Sequence, residues 1–196
     1  MADSLVSELA EYQQGFRQNR ELARHVCSNL HAEAFNWRPA DGRWSIAEYL
    51  THLNIAATLV SDVTRRIVDE ARAAGRVSPG PFRYGVVSRI MLWSLDPGNR
   101  RRFKAPSKFV PPATTYDVEP VLEAFVGLQE TWEDCLHAAD GLDLARIKVP
   151  SPAIGLLRFP LGATFAIQVT HERRHLHQAR EVTALPGFPG VPVEDF

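Results

Sequence analysis

Four stretches of this chain repeat apolar residues at alternating three- and four-residue steps, a pattern that constrains the fold class before any motif is considered. A helix of 3.6 residues per turn gathers such positions onto one face, and that face must be buried against a neighbour. The first stripe runs Leu5, Leu9, Tyr12, Phe16, Ala23, Val26 and Leu30, with polar Asn19 at its one missing step. The second begins after Ser45, where Ser-Ile-Ala-Glu forms a capping box with Glu48 and Trp44 is placed to staple onto Tyr49. It continues through Ile46, Tyr49, Leu53, Ala56, Val60, Val63 and Ile67. The third, Val118, Val121, Phe125, Leu128, Trp132, Cys135 and Ala139, stops at Gly141, and the fourth spans about 161–185 between Pro160 and Pro186. No alternating β pattern lies between them, so the sequence predicts an all-α four-helix bundle.

A chain of 196 residues with 45% hydrophobic content suits one core, so residues 1–196 are expected to form a single domain. The connections are unequal. Residues 75–117, between helices two and three, hold six prolines and one short apolar helix candidate over 84–95. A structureless link of that length is unusual within a domain, which predicts an ordered excursion capping one end of the bundle. The tail, 186–196, is proline-rich and is expected to be irregular, draped or mobile. With 22 Lys+Arg against 23 Asp+Glu, there is no global field to attract nucleic acid. Cys27 and Cys135 fit no metal or redox spacing and read as buried free thiols in a reducing compartment. The acidic, amphipathic start lacks the pattern of a signal peptide, and no stretch approaches a membrane span. A cytoplasmic protein is the simplest expectation.

On the fourth helix His171 and His175 lie about 40° apart around the axis, so both imidazoles can reach one ion. Thr164, Ile167, Gln168, Gln178, Val182 and Leu185 share their sector, which places the pair on the core-facing stripe. His177 points nearly the opposite way. His52, on the second helix, sits at the edge of the apolar stripe and can face the interior. Three imidazoles from two helices are how metal sites are built in bundles, and a three-His set leaves a position open for water or substrate. Gln178 is a candidate hydrogen-bond partner for an imidazole, with Gln168 the weaker one.

Three passages carry a family resemblance: Trp37-Arg-Pro with Arg43-Trp-Ser-Ile-Ala-Glu-Tyr-Leu-Thr-His52-Leu, Lys104-Ala-Pro-Ser-Lys-Phe-Val-Pro111, and His171-Glu-Arg-Arg-His175-Leu-His-Gln178. Their order and separation resemble the DinB/YfiT-like superfamily of four-helix bundles. The resemblance implies that His52, His171 and His175 ligate one divalent metal, nickel or zinc, with water completing the shell. It further implies a small-molecule substrate, and either a hydrolase or isomerase or a transferase that uses a low-molecular-weight thiol whose pKa the metal lowers.

Other readings stand beside this one. His171-Glu172-x-x-His175 matches the zinc-protease helix H-E-x-x-H, with Glu172 as general base. The metzincin extension fails, because Gln178 and Glu181 stand where glycine and histidine are required, and a carboxylate ligand would have to be Glu194 or Asp195 in the tail. The plainer expectation for Glu172 is an exposed partner of a nearby arginine. A non-catalytic stress-response or binding bundle that forms a homodimer is the alternative to an enzyme. The basic run Arg100, Arg101, Arg102, Lys104 and Lys108 reads as a solvated loop packed back through Phe103 and Phe109, or as an anion site. Trp37, Trp44, Trp93 and Trp132 are expected mostly in the core, with a pocket above the metal as their other role.

Overall fold

The structure, a computed structural model, describes residues 6–40, 42–99 and 104–194. Leu5 of the first stripe, Arg100, Arg101, Arg102 and Phe103 of the basic segment, and Asp195 fall outside the described residues. In chain order the elements are α1 (Ser7–Cys27), α2 (Ala32–Asn36), α3 (Ile46–Ala73), α4 (Val86–Leu95), a 3-10 turn (Ser107–Phe109), α5 (Val118–Ala139), β1 (Lys148–Pro150), β2 (Arg158–Pro160) and α6 (Leu161–Thr183). The chain is mostly helical. Its four long helices coincide with the four stripes, and α1 and α3 each pack against both α5 and α6.

The helix ends follow from local chemistry. Ser45 accepts from the Glu48 amide at 3.1 Å while the Glu48 carboxylate accepts from the Ser45 amide at 2.9 Å, so the predicted capping box heads α3. Trp44 and Tyr49 meet edge to face across this cap, with ring centroids 5.6 Å apart. α5 tolerates Pro120 because the first-turn amides have no partner within the helix. It ends before Gly141, whose φ of 77° lies in the left-handed region that glycine tolerates best.

Three small elements depart from the all-α expectation or were not anticipated. β1 and β2 pair antiparallel with Val149 opposite Phe159, and both of these residues are buried. Strands of three residues carry too few positions for a two-residue period to show. The five-residue α2 leaves no helical stripe for the same reason. The first helix also ends at Cys27 rather than reaching Leu30.

The core divides in two. Leu9, Phe16, Trp132, Leu136 and Phe165 anchor one apolar cluster. Leu22, Val26, Leu50, Leu53, Phe125 and Leu176 anchor the other. Between them, one step along α1, α5 and α6, lie buried Asn19, Gln129, Gln168 and Glu172. Cys27 and Cys135 are buried free thiols, as expected.

The excursion is ordered across its described residues and runs along α6. Near its start the Tyr84 hydroxyl donates to the Glu8 carboxylate and lies hard against Gly162, at the beginning of α6. α4 then packs on α6. Arg174 donates to the carbonyls of Asp96 and Asn99 at 2.9 and 2.7 Å. The tail is draped on the body: Phe188 stands edge-on to Trp37 at 5.7 Å, and the Val193 amide donates to Thr183 Oγ1 at 3.0 Å. No helix among the described residues is long and apolar enough to cross a membrane.

Candidate metal centre

α3 and α6 pack side by side, and their facing turns carry His52 on one and His171 and His175 on the other. One nitrogen from each ring lies within 4.8 Å of the other two. The rings meet edge to face, with centroids 4.7 Å apart for His171–His175, 4.8 Å for His52–His175 and 5.2 Å for His52–His171. His52 Nε2 and His171 Nε2 are 3.3 Å apart. Two ligands each about 2.0–2.1 Å from a tetrahedral zinc are separated by about 3.3–3.4 Å, so this edge already has the width a metal requires. The other nitrogen–nitrogen distances are no longer than 4.8 Å, so they would shorten by at most about 1.4 Å around such an ion. Among the described residues no Cys, Asp or Glu joins the three, which leaves coordination positions open.

Hydrogen bonds orient two of the rings. His52 Nδ1 lies 2.8 Å from the main-chain oxygen of Phe109. A carbonyl can only accept, so Nδ1 carries the proton and Nε2 keeps its lone pair for the cluster. His175 Nδ1 lies 2.7 Å from Gln178 Oε1, which fixes that ring in the same sense. Burial, aided by the neighbouring His52 and the Arg174 guanidinium, pushes the His171 pKa down to about 3. Burial also lowers His175, with His171 and His52 adding to the effect, and it lowers His52 against the opposing pull of the Phe109 carbonyl. The three imidazoles are therefore neutral near pH 7, the form that binds a metal. Aromatic rings surround them: Trp44 lies 5.0 Å from His52, Tyr49 lies 5.7 Å from His175, and Phe109 lies 6.4 Å edge-on to His52.

Glu172 requires a correction. In place of an exposed partner of an arginine, it is a fully buried residue whose carboxylate accepts from Asn19 Nδ2 at 3.1 Å and Gln168 Nε2 at 2.9 Å. Burial raises its pKa to about 7 despite the hydrogen bonds from Gln168, Asn19 and Gln129. Of the adjacent arginines, Arg173 donates to Gln18 Oε1 at 3.3 Å and Arg174 to the carbonyls of the excursion. Gln168 serves Glu172 in this structure, whereas Gln178 is the residue beside a histidine. Glu194 lies near α1, with its carbonyl 3.2 Å from His25 Nε2. Lys104 and Lys108 are exposed, and Phe109 packs back into the body, as the basic segment led one to expect. Of the four tryptophans, Trp132 is in the core, Trp93 is 60% exposed, Trp37 holds the tail and Trp44 borders the histidines.

Asn19 and the Phe109 carbonyl were not singled out as partners. Asn19 left a trace, as the lone polar residue in an apolar stripe, but a main-chain acceptor leaves none.

No curated protein and no solved structure matches this chain. The family model described as the DinB superfamily matches residues 15–179, a span that contains all three histidines and all four long helices in whole or large part. The chain belongs to the DinB superfamily.

Proposed function

We propose that this chain is a four-helix bundle that binds one divalent transition metal, nickel or zinc, through Nε2 of His52, His171 and His175. In this reading it acts on a small molecule as a metal-dependent hydrolase or a low-molecular-weight thiol transferase. The observation that carries the reading is the convergence of three neutral imidazoles from two helices, two of them held by a partner on Nδ1. Buried His52 and half-buried His171 and His175 give up part of their hydration to meet at one point, a cost that a bound metal would offset.

A divalent ion there would supply Lewis acidity and lower the pKa of a thiol or water that reaches it. The protein's part is positional. The Phe109 carbonyl and Gln178 hold the tautomers, and Trp44, Tyr49 and Phe109 limit the water around the rings. Glu172, bonded to Asn19 of α1 and to Gln168, ties the helix that carries two of the ligands to α1.

Purified protein expressed with supplemented nickel or zinc should contain about one metal per chain by elemental analysis, and the triple His→Ala variant should contain none. Equal metal content in both proteins would sink the proposal. Metal binding without hydrolysis or thiol transfer across a panel of small electrophiles would favour the non-catalytic binding bundle instead.

A further inference from the structure

The excursion between α3 and α5 reaches the histidine cluster at Phe109, through its main-chain oxygen and the edge of its ring. His52 Nδ1 reaches the Phe109 carbonyl at 2.8 Å, and this hydrogen bond is buried. Phe109 itself is 4% exposed, whereas Ser107, Lys108 and Val110 around it are exposed. The segment is a one-turn 3-10 helix, in which the Phe109 amide donates to Pro106 and the Val110 amide to Ser107. It is bounded by Pro106 on one side and by Pro111 and Pro112 on the other. So short a turn, with only one side chain inserted, has little local stability of its own. Arg174, adjacent in sequence to His175, holds the same excursion at Asp96 and Asn99.

We propose that the Ser107–Phe109 turn is a positioning element of the metal site, so that docking of this turn on α3 and metal occupancy form one coupled equilibrium. The proposal rests on the metal reading above. While the turn is docked, the carbonyl holds the Nδ1–H tautomer of His52 and keeps the Nε2 lone pair on the cluster. When it leaves, His52 can place its proton on Nε2 or turn to water, and a ligand is lost. Removing such an outer partner typically weakens metal binding by about 10–100-fold. Linkage requires the reverse as well: metal must favour the docked turn by the same factor.

The test uses the full chain with zinc alone as the probe. Amide exchange at Phe109 and Val110 is followed with and without saturating zinc, with the Ser151 amide of the distant hairpin, bonded to Leu157, as the control. Zinc should slow exchange at Phe109 and Val110 by at least about tenfold relative to Ser151. Phe109→Ala should weaken zinc binding by about 10–100-fold in a chelator competition, and Phe109→Leu, which still fills the buried site, should recover most of the affinity. Stoichiometric zinc binding with unchanged exchange at the turn, or wild-type affinity in Phe109→Ala, overturns the inference and leaves the metal reading intact. If Phe109→Ala does not fold, the wild-type exchange result decides alone. If the wild type binds no zinc, the metal reading fails and this inference fails with it.

Discussion

At the scale of single residues, Glu172 is fully buried where the sequence led one to expect an exposed side chain. Its folded pKa of about 7 lies above the ordinary 4.5, so metal-free protein should lose stability as pH rises from about 4.5 through 7, where the unfolded chain ionises first. The loss is on the order of 3 kcal/mol, and Glu172→Gln should abolish this part of the pH dependence. Urea midpoints of both proteins between pH 4.5 and 8 measure it; parallel curves would contradict the assignment. Cys27 offers a simpler test, because burial pushes its thiol up to about 12. Native protein should resist alkylation at pH 8 and react only after unfolding, and rapid labelling of folded protein would show the thiol to be accessible. The pairing of His171 with His175 was legible in the sequence because a four-residue step is a geometric statement about one helix. His52 was legible only with the family pattern, because no spacing rule aligns residues on different helices. Glu172 was misread because α6 is flanked by α1, α3 and α4, so a residue about 100° away from His171 meets another helix and not water.

The elements explain why the site has these coordinates. α3 starts at a complete capping box and carries His52 two turns later, so the cap sets the phase in which this histidine meets α6. Ser45→Ala should cost about 1 kcal/mol, read as a lower urea midpoint with unchanged slope. A change near zero would mean that packing alone holds the start of α3. The excursion is pinned at the other end of α6, where Tyr84 lies against Gly162. Gly162→Ala places a methyl group where the Tyr84 hydroxyl sits, and it should destabilise by about 1–3 kcal/mol through displacement of that anchor. Gly162→Ala in a Tyr84→Ala background should cost much less, and equal costs in both backgrounds would rule out the contact as the cause. The four long helices were readable because their stripes are long, whereas β1, β2 and α2 are too short to display any period. Within the excursion α4 was visible as an apolar run, but the path along α6 depends on Tyr84, Arg174 and Phe109, three contacts between residues distant in sequence.

For the whole molecule, two apolar clusters are joined through a buried polar layer, and the histidine cluster lies where α3 meets α6 beside it. A metal that binds only the folded chain would add about 2.7 kcal/mol at a hundredfold excess over Kd. For a chain of this size that corresponds to a rise in Tm of about 5–10 °C, absent in the triple His→Ala protein. The central claim is that His52, His171 and His175 hold one metal together. A crystal structure of metal-supplemented protein, with anomalous data at the nickel and zinc edges, tests it most directly. The account predicts a single anomalous peak about 2.0–2.2 Å from Nε2 of all three histidines. A crystal without a peak at this position, or with a peak that His52 does not reach, would contradict it.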